Sequence, residues 1–216
     1  MLGNLVIFGD SYSTYEGYIP QGYKTYYSPE GRPNVAVTKM PVDNTWWKRT
    51  LNAVGGTLLL NNSWSGSTVC NTSLDGNDCS QTNSFIFRYN KLVESGFFKQ
   101  NKVDTLLVFG GTNDSWGKSP LGEAKYSDWN SQDLYYALPA MSYFAYRLSK
   151  DLPNTNIIFL INTGLKPELV DTIERATKLF GLKSLRLSGI EKDQGHPTVA
   201  GMKTISEQLI YLLKSN

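Results

Sequence analysis

The chain is predicted to fold as one α/β domain, a three-layer α/β/α sandwich around a parallel sheet. Apolar runs of strand length alternate with helix-length segments, the pattern of parallel strands joined by right-handed crossovers. The 216 residues suffice for one domain with a substantial core but not comfortably for two. No internal repeat, linker or low-complexity tract divides residues 1–216, so we expect a single domain.

The first strand is predicted at residues 4–8, an apolar run that ends in Gly9, Asp10 and Ser11. Such a turn presents one hydroxyl at the carboxyl edge of a sheet, where open α/β folds bind their ligands. The segment from Tyr12 to about Pro41 has neither helical nor strand periodicity and is predicted to be an ordered loop. A loop of this length in a compact domain is usually functional.

The other elements follow from apolar spacing and from glycine and proline. Helices are predicted at residues 44–54, 84–95, 132–150, 167–180 and 197–213, and strands at residues 57–60, 105–109, 156–161 and 183–187. The strands at residues 57–60 and 105–109 give way directly to small polar residues. Both positions are therefore predicted to be edge loops beside the Ser11 turn.

Charge and hydropathy exclude two classes of partner. Lys and Arg number 21 against 19 Asp and Glu, with no long run of like charge, so we expect no nucleic-acid partner. The longest apolar stretches are of strand length, far below the ~20 residues that span a bilayer, so we expect no integral membrane association. The first strand follows Met1 within three residues and leaves no room for an export signal. This predicts a cytoplasmic protein, although a chain stripped of its signal would look the same.

The two cysteines, Cys70 and Cys79, flank a polar loop whose spacing fits neither a metal site nor a redox pair. Two free thiols are the favoured interpretation, because disulfides are rare inside cells. A bridge closing this loop would instead indicate an exported protein.

The polar clusters supply the groups that acyl transfer needs. The carboxyl ends of parallel strands share one edge of a sheet, so these clusters can meet. A serine such as Ser11 attacks a carbonyl only when an adjacent base takes its proton, and His196 is the only histidine in the chain. Asp193 lies three residues before His196, close enough to hold the imidazole. The backbone N–H groups of Ser11 and Gly66 and the side-chain amide of Asn113 are candidate donors to an oxyanion.

Four motifs then match a known family. Gly9-Asp10-Ser11, the stretch Asn61-x-Ser-x-Ser-Gly66-x-Thr68, Gly111-x-Asn113-Asp114 and Asp193-x-x-His196 resemble, in order, the four signature blocks of the SGNH (GDSL-type) hydrolases. The resemblance implies a flavodoxin-like sheet of about five strands in the order 2-1-3-4-5. It also implies a serine esterase with no metal or other cofactor. Its catalytic residues would be Ser11, Asp193 and His196, and its oxyanion donors would be Ser11, Gly66 and Asn113.

Simpler interpretations exist for single motifs. Ser11 alone could be an ordinary turn residue, and Asp114 is expected to fix its loop. Residues 75–78 carry oxygen ligands suited to calcium but lack the full loop pattern, so a turn is favoured over a metal site. The chain also lacks a Gly-x-Ser-x-Gly elbow, which disfavours the larger α/β-hydrolase fold.

The substrate is predicted from the residues around the nucleophile. Asp10, Tyr12, Trp64 and Trp116 are candidate substrate contacts, because aromatic rings stack on sugars or bind acyl chains, although they also fill cores. We expect hydrolysis of a short acyl ester, an acetyl group on a carbohydrate or small molecule. The alternatives are a lysophospholipase or thioesterase, and a catalytically dead carbohydrate-binding protein. The sequence gives no indication of an oligomeric state.

Overall fold

A computed structural model describes residues 1–215. Its centre is a five-stranded sheet in which every pairing is parallel. Its strands are β1 (Asn4–Gly9), β2 (Thr57–Ser63), β3 (Thr105–Phe109), β4 (Asn156–Ile161) and β5 (Lys183–Arg186). The order is β2-β1-β3-β4-β5, as the resemblance implied. A separate hairpin pairs two strands of two residues each, β6 (Lys192–Asp193) and β7 (His196–Pro197).

Helices cover both faces of the sheet. They are α1 (Trp46–Val54), α2 (Phe85–Glu94), α3 (Phe97–Gln100), α4 (Thr112–Trp116), α5 (Ala137–Asp151), α6 (Pro167–Leu179) and α7 (Val199–Lys214). Val6 and Phe8 of β1 pack into a core with α2, α5 and α6, whereas Leu5 and Ile7 pack into a second core with α1 and α7. Successive strand residues therefore point to opposite apolar layers, and the three-layer sandwich is confirmed.

The register brings the ends of three strands together. Gly9 at the end of β1 pairs with Ser63 of β2 on one side and with Phe109 of β3 on the other. A Cβ at Gly9 would lie 2.5 Å from both Ser13 Cβ and Ser63 Oγ, so only glycine fits this approach. The loop after β1 thus begins at the middle of the sheet edge.

Several boundaries differ from the sequence-based expectation. β2 extends to Ser63 because its polar last residues continue to pair with β1. The helix predicted from residue 132 begins at Ala137, since Asp133–Tyr135 forms a separate 3₁₀ turn. The last helix begins at Val199 because His196–Pro197 is used in the hairpin and Thr198 caps the helix.

Tyrosines of the segment after Ser11 take part in the core. The segment contains short 3₁₀ turns and isolated β-bridges, as expected of an ordered loop, but Tyr12, Tyr15 and Tyr27 are buried in the core layer of α1 and α7. The loop is therefore packed against the domain. No helix within residues 1–215 is both long and apolar enough to cross a bilayer.

Candidate active site

Ser11 opens a 3₁₀ turn, Ser11–Ser13, directly after β1. The carboxylate of Asp10 caps this turn, its Oδ1 accepting the Tyr12 N–H at 3.0 Å. The Ser11 Oγ lies 3.0 Å from Nε2 of His196, although the two residues are 185 positions apart. The predicted nucleophile and base therefore lie within hydrogen-bond distance of each other.

The hairpin between β6 and β7 holds His196. Its two turn residues, Gln194 and Gly195, have φ values of +47° and +77°, the positive pair that a type I′ turn requires. Glycine adopts this backbone freely, whereas a glutamine does so only under strain. The Gln194 carbonyl oxygen lies 3.1 Å from Nδ1 of His196.

This carbonyl decides the tautomer of the histidine. A carbonyl oxygen only accepts hydrogen bonds, so Nδ1 of His196 must carry the ring proton in this contact. Nε2 is then the bare nitrogen, and it accepts the Ser11 hydroxyl proton. The structure thus presents the tautomer that a general base needs.

Asp193 does not make the contact expected of it. Its side chain is exposed, and the ring nitrogens of His196 bond to Ser11 Oγ and to the Gln194 carbonyl. Asp193 and His196 are opposite each other in the hairpin, but the carbonyl of the first turn residue, Gln194, is the group within hydrogen-bond distance of Nδ1. The expected carboxylate contact is corrected to a carbonyl contact, and a catalytic role for Asp193 stays a prediction.

Tyrosines from the loop enclose His196. The Tyr26 ring stacks on the imidazole with centroids 3.7 Å apart and planes 11° apart, and the Tyr12 ring lies at 5.5 Å. The Tyr12 hydroxyl donates to the Gly195 carbonyl and the Tyr27 hydroxyl to the Pro197 carbonyl. Burial lowers the pKa of His196, the Gln194 carbonyl opposes this shift, and the charges of Arg32 and Lys192 add to it. The ring is therefore biased toward its neutral, basic form.

Asp10 and Tyr12 have almost no exposed surface with which to contact a substrate. Both are buried, Asp10 at 0% exposure and Tyr12 at 1%, so the expected substrate contacts of these two are corrected to supporting roles. Oδ2 of Asp10 has no hydrogen-bond partner among the described residues. Burial raises the pKa of Asp10 to about 7.

The three candidate oxyanion donors differ in what they bond. Gly66 has φ +83° and open space where a Cβ would stand. Within residues 1–215, neither its backbone N–H nor that of Ser11 donates to a protein acceptor. The Asn113 amide donates one hydrogen to the Ser67 carbonyl at 2.8 Å, leaving its second hydrogen available. Asn113 is thereby oriented by the same loop that carries Gly66.

Two buried charged residues brace that loop. Asp114, at 0% exposure, accepts the backbone N–H groups of Val69 and Cys70 at 2.9–3.0 Å, so its expected loop-fixing role is confirmed. Arg88 of α2, at 1% exposure, donates to the Gly9 carbonyl at 3.3 Å and to Ser67 Oγ at 3.1 Å.

Arg88 was not singled out from the sequence. It also donates to the Asn62 carbonyl, so one guanidinium joins the ends of β1 and β2 to the Gly66 loop. Burial lowers the pKa of Arg88 to about 9. The sequence shows only that Arg88 lies within an apolar helical stretch, and this pattern fits a surface arginine equally well.

The two candidate tryptophans lie on different loops of this edge. Trp64 pairs with Tyr23, the ring centroids 4.3 Å apart, and its backbone N–H donates to the Gly9 carbonyl. Trp116 is 46% exposed and donates from its indole to the Gly164 carbonyl at 2.9 Å. A Cβ at Gly195 would lie 3.5 Å from the Trp116 ring, so this ring lies beside the histidine hairpin.

Cys70 and Cys79 are free, buried thiols. Burial raises the pKa of both, that of Cys79 to about 11. Residues 75–78 belong to a turn in which Ser73 accepts the N–H groups of Gly76 and Asn77. Within residues 1–215, no group of three His, Cys, Asp or Glu side chains could hold a metal ion.

Comparisons with known proteins show which family this chain is similar to. The profile of the family described as GDSL-like Lipase/Acylhydrolase matches residues 3–213. A solved GDSL-like lipase candidate from Bacteroides ovatus is 37% identical, with all of both chains covered and a TM-score of 0.89. A second, from Bacteroides uniformis, is 35% identical over 99% of this chain and 96% of that one, with a TM-score of 0.86.

More distant structures share the fold alone. An acetyl xylan esterase from Butyrivibrio proteoclasticus is 17% identical over 99% of this chain and 63% of its own, with a TM-score of 0.63. Among curated proteins, none matches this chain.

Proposed function

The chain belongs to the GDSL-like lipase/acylhydrolase family and is a carboxylic ester hydrolase, and we propose that it removes short acyl groups, chiefly acetyl, from a carbohydrate. The observation that carries the proposed mechanism is the relay Ser11 Oγ, His196 Nε2, His196 Nδ1 and Gln194 carbonyl, with contacts of 3.0 and 3.1 Å. It supplies a nucleophile, a base and a fixed tautomer.

The reaction follows from this relay. Ser11 Oγ attacks the ester carbonyl as its proton passes to His196 Nε2, which leaves an imidazolium and a tetrahedral oxyanion. The backbone N–H groups of Ser11 and Gly66 and the Asn113 amide donate to that oxyanion. Collapse breaks the ester C–O bond, and His196 returns its proton to the departing alcohol. Water then attacks the acyl-serine as its proton passes to His196. The acyl–Oγ bond breaks, His196 returns the proton to Ser11 Oγ, and the carboxylic acid is released.

The surroundings of Ser11 support a polar substrate. The loops that follow β2 and β3 are rich in Asn, Ser, Thr and Gly, and two tryptophans, Trp64 and Trp116, lie at this edge. Trp116 is nearly half exposed, as a ring offered to a sugar must be. The shared fold of the acetyl xylan esterase is compatible with such a substrate.

The test measures turnover of p-nitrophenyl esters from acetyl to octanoyl and of acetylated sugars. We expect acetyl esters to be preferred and Ser11→Ala to abolish turnover, whereas Ser95→Ala, an exposed serine at the end of α2, leaves it unchanged. Rates that rise toward octanoyl would assign a lipid or acyl-thioester substrate instead. Absence of Ser11 labelling by a fluorophosphonate, together with retained sugar binding, would make the protein a binding module.

A further inference from the structure

Three side chains form a continuous stack over the proposed base. The Tyr26 ring lies parallel to the His196 imidazole, with a centroid distance of 3.7 Å and an interplanar angle of 11°. The Arg32 guanidinium carbon lies over the Tyr26 ring, 4.8 Å from its centroid. Both Tyr26 and Arg32 come from the loop that follows the nucleophile, and His196 comes from the hairpin near the end of the chain.

The stack restrains the His196 ring against rotation, which its two hydrogen bonds alone do not do. A carboxylate that bonds Nδ1 of a catalytic histidine also resists rotation of its ring, but here Nδ1 meets only the Gln194 carbonyl. Rotation about the Cβ–Cγ bond of His196 would break both of its ring contacts at once. A flat ring in face-to-face contact at 3.7 Å opposes that rotation by steric contact.

The position of Tyr26 is itself tied to the nucleophile. The Tyr26 backbone N–H donates to Thr14 Oγ1 at 2.9 Å, and Thr14 Oγ1 donates to the Ser11 carbonyl at 3.1 Å. The next residue, Tyr27, is fully buried and donates from its hydroxyl to the Pro197 carbonyl at 3.0 Å. One short network therefore sets the serine turn, the tyrosine ring and the histidine hairpin relative to one another.

We infer that Tyr26 is a positioning residue for His196, and that Arg32 acts on the imidazole through its stack on Tyr26. In this arrangement the tyrosine stack and the Gln194 carbonyl both orient the imidazole. The catalytic consequence rests on the proposed function, because it assumes that His196 is the base.

The charges around His196 agree with this assignment. Arg32 and Lys192 are the two cations that lower its pKa, after burial, which is the largest cause. Two acids also face this site: Asp193 pairs with His196 across the hairpin and its charge acts on Tyr26, and the charge of buried Asp10 acts on Tyr12 and Lys192. Removing Arg32 should therefore raise the pKa of His196.

The single histidine makes a direct test possible. Nitrogen NMR of ¹⁵N-histidine-labelled protein reports both the pKa and the tautomer of His196 without any substrate, since no other histidine contributes a signal. We expect wild type to show the Nδ1–H tautomer at neutral pH. Tyr26→Leu should mix the two tautomers, and Arg32→Gln should raise the midpoint by a few tenths of a pH unit.

Kinetics complete the test. Tyr26→Leu should lower kcat by about 10- to 100-fold at little change in KM, because a misplaced base costs turnover and not binding. Tyr26→Phe keeps the flat ring and should restore most of kcat. Tyr18→Leu is the matched control, since Tyr18 lies in the same loop but its ring meets Tyr15 and Trp47, and kcat should not change.

The outcomes separate this inference from the proposed function. Unchanged tautomer and kcat in a folded Tyr26→Leu protein would overturn the positioning role. If that variant does not fold, an unshifted His196 midpoint in Arg32→Gln, at an exposed position, overturns the inference instead. A wild type that turns over no ester would refute the proposed function. The NMR titration would still show whether Tyr26 positions His196.

Discussion

Replacing Asp193 by asparagine tests most directly whether the Gln194 carbonyl, and not the Asp193 carboxylate, holds His196. In the structure the carboxylate is exposed, and Nδ1 of His196 faces the Gln194 carbonyl at 3.1 Å. Asp193→Asn removes one surface charge but keeps the hairpin backbone and its Gln194-Gly195 turn. The hydrogen bonds of the structure alone therefore predict a nearly intact enzyme, whereas the predicted catalytic role of Asp193 requires a large loss of activity.

The two arrangements predict very different losses. An exposed charge interaction contributes up to about 1 kcal/mol, which corresponds to at most about a fivefold change in kcat/KM. A carboxylate that fixed the histidine tautomer would instead cost about 10⁴-fold, or roughly 5.4 kcal/mol, when changed to an amide. These ranges do not overlap.

The assay is the hydrolysis of p-nitrophenyl acetate by wild type, Asp193→Asn and Asp171→Asn, the last at an exposed acid on α6. We expect both variants to lie within about fivefold of wild type. A loss of 10³-fold or more in Asp193→Asn alone would show that the carboxylate reaches His196 during catalysis and would refute the carbonyl-held base.

Three further predictions concern the oxyanion donors, the base and the loop brace. Asn113→Ala should lower kcat about 100-fold with little change in KM, because it removes a donor used in the transition state; an unchanged kcat would exclude Asn113 from that role. The pH profile of kcat/KM should have its acidic midpoint below 6.5, since the base acts when neutral and the pKa of His196 is lowered; a midpoint above 6.5 would contradict this. Arg88→Met should destabilise the fold by about 3 kcal/mol, because the carbonyls of Gly9 and Asn62 lose a buried donor, and thermal melting should show a Tm lower by about 6–12 °C; an unchanged Tm would refute the bracing role.

The fold could be predicted because its signals are local. Apolar runs such as residues 105–109 and 156–161 form strands with those same limits, since a parallel strand buried on both faces is apolar along nearly its whole length. Ser11 and His196 could be paired because parallel topology brings strand ends together and the chain has one histidine.

The remaining features of the site depend on backbone and side-chain geometry that the spacing of residues in the sequence does not determine. Asp193 and His196 are separated by a tight turn whose backbone direction decides whether a carboxylate or a carbonyl meets the ring. The stack of Tyr26 on His196 joins residues 170 positions apart, and no periodicity marks which of several loop tyrosines makes it. The short polar helix α4 lacks the apolar stripe by which helices are recognised.

The 185-residue separation between Ser11 and His196 has a consequence for synthesis. The nucleophile leaves the ribosome with the first strand, but its base follows only 185 residues later. A nascent or C-terminally truncated chain that ends before the hairpin holds a serine without a base and hydrolyses nothing. Appearance of esterase activity during translation or refolding would therefore report when the hairpin docks against the end of β1, and not when either part forms alone.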